Sequence, residues 1–116
     1  MSENNNINYV EFAVRDLAAT KQFFQAAFGW EFVDYGPDYA SFQGRGIDGG
    51  FFRSEQVATT TEGAALIVLY AEDLEASQAR VEQAGGKVVK PIFSFPGGRR
   101  FHFSEPGGNE LAVWSE

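Results

Sequence analysis

One histidine occurs in the chain, His102, inside the stretch "RRFHFS". Alternation on a strand puts Arg100, His102 and Ser104 on one face and Phe101 and Phe103 on the other. An imidazole titrates near neutrality, so His102 beside Arg100 can act as acid, base or anion anchor. The plainer alternative is a partly exposed strand histidine. Glu11 in "YVEFAV" is the second candidate, two residues from Tyr9 on the same strand face. Its carboxylate can serve as a general base or can pair structurally with Arg100. Glu110, Ala112 and Trp114 share one parity of "NELAVW", where Trp114 is a stacking wall, a core residue or a dimer contact. An ion held by Glu11, His102 and Glu110 is chemically open, since carboxylate and imidazole are reasonable ligands. The absence of cysteine excludes thiol nucleophiles, disulfides and thiolate zinc sites.

These side chains need elements to position them. Ile7 to Val14 alternates, with Tyr9, Glu11 and Ala13 facing one way and Val10, Phe12 and Val14 the other, the period of a strand. Asp16 stands where a helix N-cap belongs, Leu17, Phe24, Ala27 and Phe28 share a helical face, and Gly29 supplies the stop. "WEFVDY", "YASFQ" and "GGFFR" read as three short strands. The same order then recurs. Ala65, Ile67, Leu69 and Ala71 alternate against Leu66, Val68 and Tyr70. Asp73 caps a helix carrying Leu74, Val81 and Ala84, closed by Gly85 and Gly86, and "KVVK", "RRFHFS" and "NELAVW" complete the set. Asp16 to Asp73 and Gly29 to Gly86 share one spacing. "GRGIDGG" precedes a strand rather than a helix, so it reads as a turn and not a phosphate loop.

The spacing predicts an α+β chain of two βαβββ modules, residues 7–57 and 64–116, joined by the hydrophilic link "ATTTEG" into one domain spanning 1–116. Met1 to Asn6 reads as a frayed terminus. Each helix covers one face of a four-stranded sheet. The other faces, carrying Tyr9, Glu11, Leu66, Val68 and Tyr70, require a second module, a second subunit or a ligand, and two such sheets enclose a cleft.

A tandem βαβββ pattern with the segments "INYVEFAVRDL", "FFQAAFGWEF", "YAEDLEASQARVEQAGGKVV" and "FSEPGGNELAVW" resembles the vicinal oxygen chelate superfamily of glyoxalases, bleomycin resistance proteins and extradiol dioxygenases. The "FGW" and "AGGKVV" pieces look most like its small glyoxalase-like proteins of unassigned reaction. The resemblance implies a glyoxalase-like fold and, in metal-dependent members, ligands early in the first strand, at the matching place in the second half, and in the last strand. Here those places hold Tyr9, Leu66 and Ala112, with a fourth near Phe52. A neutral phenol binds metals poorly and Leu and Ala side chains do not bind them at all, so no metal and no other cofactor is expected. Tyr9 reads as a cleft wall with a hydroxyl to offer.

Three functions follow as expectations. The first is metal-free binding of a small amphipathic molecule in a cleft of Tyr9, Trp30, Phe42, Phe52, Leu66, Val68, Tyr70, Ala112 and Trp114, with Glu11, Arg100 and His102 for polarity. Twelve Phe, four Tyr and two Trp are enough for both a core and such a wall. The second is a lyase or isomerase using Glu11 and His102 as base and acid. The third is a homodimer assembled through the aromatic face. A net charge of −7 and a pI near 4.6 disfavour nucleic acid and anionic membranes as partners. No apolar run is long enough to span a bilayer, and a cytoplasmic location is the expectation.

Overall fold

A computed structural model describes residues 4–116, so the first three residues of the expected frayed terminus lie outside the described part. The first module runs β1 (Tyr9–Val14), α1 (Leu17–Phe28), β2 (Val33–Asp34), β3 (Tyr39–Arg45) and β4 (Ile47–Arg53). The second runs β5 (Ile67–Tyr70), α2 (Leu74–Gln83), β6 (Lys87–Phe95), β7 (Gly98–Ser104) and β8 (Glu110–Ser115). A 3-10 turn, Thr60–Glu62, lies in the link. Each module forms its own four-stranded sheet, in the orders β1-β4-β3-β2 and β5-β8-β7-β6, with the first and last strands parallel and the remaining pairs antiparallel.

Both helices start as the sequence requires. The Asp16 carboxylate accepts from the Ala19 amide at 3.0 Å and Asp73 from Ala76 at 3.0 Å, each cap contributing about 1 kcal/mol. Gly29 ends α1 in the left-handed region at φ 72°. The α2 end departs from the strict repeat. Ala84 is its cap, and the left-handed residue is Gly85 rather than Gly86.

The helix-facing positions were largely legible. Phe12, Val14, Leu17, Phe24, Ala27, Leu74 and Val81 are buried. Phe23, which the expected face of α1 left out, is buried too, and its ring meets Phe103 of the second sheet at 5.6 Å. Phe28 meets the same ring at 6.0 Å, while Phe24 packs on Phe51 of the first sheet at 5.3 Å. Helix α1 therefore does more than cover its own sheet: it joins both modules in one continuous core, at favourable edge or tilted ring geometries.

A polar weld fixes the same junction. The turn 105–109 of the second module reaches the end of β1. Buried Glu105 accepts from Thr20 Oγ1 (2.8 Å), the Gly107 amide (2.6 Å), the Asn109 amide (3.2 Å) and Asn109 Nδ2 (2.9 Å). Asn109 Nδ2 also donates to the Ala13 carbonyl (2.8 Å), and its Oδ1 accepts from the Ala58 amide (2.8 Å). The Arg15 amide donates to the Gly107 carbonyl at 2.9 Å. Module one, the link and module two thus share one satisfied buried network.

Candidate functional site

The pleat assigns the open face of the first sheet to Tyr9, Glu11, Tyr39, Ser41 and Phe52. Tyr39 donates to Glu11 Oε2 at 3.0 Å and its hydroxyl also bonds that of Tyr9. Burial, followed by these two hydrogen bonds, pushes the Tyr39 phenol above its ordinary pKa. Gly50, directly opposite Glu11 on β4, leaves the space in which the Tyr39 ring lies. Tyr39 was not among the sequence candidates; its alternation with Ser41 in "YASFQ" was the available signal. Phe52 lies on this face and is exposed.

The open face of the second sheet is built around His102, which is 2% exposed. Its Nδ1 lies 2.8 Å from Glu110 Oε2. Glu110 Oε1 in turn accepts from the Thr60 amide (2.7 Å) and Thr60 Oγ1 (2.8 Å). Burial acts to raise the Glu110 carboxyl, but the hydrogen bonds from His102 and Thr60 outweigh it and hold the pKa below the ordinary value. His102 pairs in register with Ala112, which is fully buried, and Arg100 pairs with Trp114. Arg100 lies over the rings of Phe93 and Phe95, 5.3 and 5.4 Å from their centroids. Trp114 meets Tyr70 edge-on at 5.2 Å.

Glu11 and His102, expected to work together, belong to separate networks. Glu11 is held by Tyr39 and His102 by Glu110, and among the described residues no hydrogen bond or ion pair joins the two. Glu11 does not pair with Arg100 either, because Arg100 is seated on the two phenylalanines. The ion cluster of Glu11, His102 and Glu110 is likewise not assembled, and no group of three or more potential ligands occurs among the described residues. Sequence reasoning set Glu110 beside His102 only as co-ligand of an ion; the direct pairing follows from its parity with Ala112, which puts it diagonally across from His102.

The third feature is a cavity of ≈400 Å³ at the junction of the modules, lined by Val10, Phe12, Trp30 and Phe42 from the first and Ile67, Val68, Leu69 and Tyr70 from the second, with Arg45, Gly46 and Ile47 of the β3–β4 hairpin at its border. Trp30 and Phe42 are thus not open-face residues. Both are buried on the helix side, where Trp30 stacks on Phe24 at 4.7 Å and meets Phe42 in a tilted contact at 4.6 Å. Val68 and Tyr70 are half-exposed along its rim, and Leu66 lies just ahead of β5, half-buried. Arg45 Nη2 donates to the Gly29 carbonyl at 2.7 Å, which fixes its guanidinium near Trp30.

Comparison with known proteins adds the family. The model of the glyoxalase/bleomycin resistance protein/dioxygenase superfamily matches residues 6–113. The chain belongs to this superfamily. Among solved structures, a glyoxalase-related enzyme from Fulvimarina pelagi is similar with a TM-score of 0.80 at 21% identity, over 97% of this chain and 88% of that one. A glyoxalase/bleomycin resistance protein from Albidiferax ferrireducens T118 gives 0.74 at 16%, over 95% and 98%. Lactoylglutathione lyase from Agrobacterium tumefaciens gives 0.71 at 19%, over 98% and 96%. At these identities the likeness establishes the glyoxalase-like fold. No curated protein matches the sequence significantly. No helix among the described residues is long and apolar enough to cross a membrane.

The superfamily's metal positions can now be placed by register. Glu11 pairs with Gly50 and Val68 with Ala112, and Glu11 and Val68 occupy matching places in the repeat. The counterpart of Ala112 is therefore Gly50; Phe52, the looser sequence alignment, corresponds to Trp114. The four positions hold Tyr9, Gly50, Leu66 and Ala112. Of these only Tyr9 has a side-chain donor atom, and that hydroxyl is engaged by Tyr39. The residues present do not fit the superfamily's divalent ion.

Proposed function

We propose that this superfamily member binds a small amphipathic molecule in the junction cavity without a metal. The observation that carries this reading is the cavity itself: aromatic and aliphatic walls from both modules, with the Arg45 guanidinium near one border. Such a composition suits an apolar body with one polar end. The donor-poor set Tyr9, Gly50, Leu66 and Ala112 supports the metal-free part. Both modules contribute walls, so binding reports on their mutual position as well as on local chemistry.

Tryptophan fluorescence tests the reading, because Trp30 lines the cavity. A panel of amphipathic metabolites and drugs is titrated into the wild type and into Ile47→Trp, which fills the cavity from the hairpin. Ligands found with the wild type are expected to bind Ile47→Trp at least tenfold more weakly. A hit that binds both proteins equally, or that requires added divalent metal, refutes the assignment.

A second reading rests on the exposure of Tyr9, Phe52, Val68 and Tyr70. These residues supply apolar area for a homodimer formed through the open faces. Light scattering at micromolar concentration tests it, and a monomer at every concentration tried refutes it.

A further inference from the structure

The second sheet carries a polar pair that the junction cavity does not use. Glu110 accepts three hydrogen bonds, from Thr60 N, Thr60 Oγ1 and His102 Nδ1. An ionised carboxylate is an acceptor only, so Nδ1 carries the proton and donates. In the neutral imidazole, Nε2 is then a lone-pair acceptor. That nitrogen is buried and has no hydrogen-bond partner. Leaving such an atom unpaired is unfavourable, a cost that a purely structural histidine would avoid.

Two residues away on the same face, Arg100 Nε is buried and unpaired as well. The contrast with its neighbour is direct. Arg99, on the opposite face, makes two hydrogen bonds to the Glu75 carboxylate at 2.6 and 3.2 Å. Arg100 has no ion pair among the described residues, although the chain has sixteen acidic side chains against nine basic ones. Phe93 and Phe95 hold its guanidinium by their ring faces, an arrangement that positions the cation while leaving in-plane N–H groups for another acceptor. Phe93 also flanks the His102 ring at 5.9 Å.

The geometry points to a binding site on the open face of β7 for a small organic anion that also carries a hydroxyl or N–H donor. Both nitrogens are buried, so the molecule enters by displacing the side chains over them; its anionic oxygen is then taken by Arg100, its donor hydrogen by His102 Nε2, and its apolar body by Phe93, Phe95 and Trp114. Along a strand, residues two apart are separated by about 6.6 Å, so one small molecule can engage both. None of these residues lines the junction cavity, although Trp114 meets its wall residue Tyr70 edge-on.

The test uses the single histidine, whose ring nitrogens give an unambiguous NMR signature in selectively labelled protein. The probes are 2-, 3- and 4-hydroxybenzoate, lactate and 3-hydroxybutyrate, with benzoate as the anion lacking a donor and phenol as the donor lacking an anion. Nε2 is expected as the unprotonated nitrogen at pH 7.5. At least one hydroxy acid is expected to shift its resonance, binding at least tenfold more tightly than benzoate or phenol. Arg100→Met is expected to abolish that shift, and Ile47→Trp to leave it in place, which separates this site from the cavity. If Nε2 is protonated in the wild type, if no hydroxy acid shifts it, or if the shift survives Arg100→Met, the assignment is overturned. The first two readouts need no variant and so do not depend on a variant folding.

Discussion

Replacing Asn109 by Ala should unfasten the two modules more than any surface substitution. The side chain makes three hydrogen bonds, to the Ala13 carbonyl, the Glu105 carboxylate and the Ala58 amide, and the residue is 1% exposed. Two neutral bonds contribute about 1 kcal/mol each and the bond to the charged group about 1.5–3 kcal/mol. Asn109→Ala is therefore expected to cost about 3–5 kcal/mol, a large fraction of the 5–15 kcal/mol typical of a domain. Equilibrium urea unfolding measures it, with an unchanged slope showing that the same surface is still exposed on unfolding. Asn109→Asp sharpens the test. It preserves shape and the acceptor for Ala58, yet sets a second carboxylate against Glu105 Oε2, where the amide now lies at 2.9 Å. Like charges that close do not both ionise without penalty. At pH 8 the Asp variant is expected to be less stable than the Ala variant, although it is nearly isosteric with Asn. A loss below about 1 kcal/mol for Asn109→Ala, or an Asp variant more stable than Ala, would refute the assignment of this network as the weld between modules.

Three further outcomes are expected. Glu110 titrates below its ordinary range in the fold, so its stabilising effect is present above the unfolded-state pKa and lost as pH falls through the folded one; thermal melts from pH 6 to pH 3 should show a shallower acid decline in Glu110→Gln than in wild type. Tyr39 is held neutral by burial and by its bonds to Tyr9 and Glu11; phenolate absorbance should show a tyrosine ionising above the ordinary range, and Glu11→Gln should bring that titration down, whereas an unchanged curve would disconnect the two. Protein purified from medium containing zinc, nickel, manganese and iron should carry substoichiometric metal, and a chelator should leave its melting temperature unchanged; stoichiometric metal would contradict the reading of Tyr9, Gly50, Leu66 and Ala112.

Much of the fold was legible because it repeats and because strand parity is strict. The Asp16 and Asp73 caps and the inward set Phe12, Val14, Ile67 and Leu69 followed from local rules that the tertiary structure had no reason to override. The length of β6 did not follow, since Pro91 lies inside it and the expected strand stopped at Lys90; the register shift between Lys90 and Phe93, which spans Pro91, shows how the ladder accommodates it. The site was harder to read. Alternation gave the face of His102 correctly, but its partner depends on the register of β7 with β8, and the Thr60 contact depends on the path of a link that looked merely hydrophilic. Trp30 and Phe42 line the junction cavity, but from the helix side rather than from the open faces, because an aromatic residue suits a core and a ligand wall equally and only the position of α1 decides between them. Glu105 passed unnoticed because turn composition explains Pro and Gly without revealing that the acid beside them folds inward.

The duplication is bonded unequally along its two borders. Where β1 meets the turn 105–109, the halves are stitched by Glu105 and Asn109; at the mirror border, between β5 and the hairpin of Arg45 and Ile47, the hollow lies instead. The molecule is thus bound like a book, with a spine on one side and a fore-edge on the other. A slight swing of one leaf about that spine would widen the gap for a guest while every strand pairing stayed intact, and it is the unequal drift of two once-equivalent edges that makes room for such a movement.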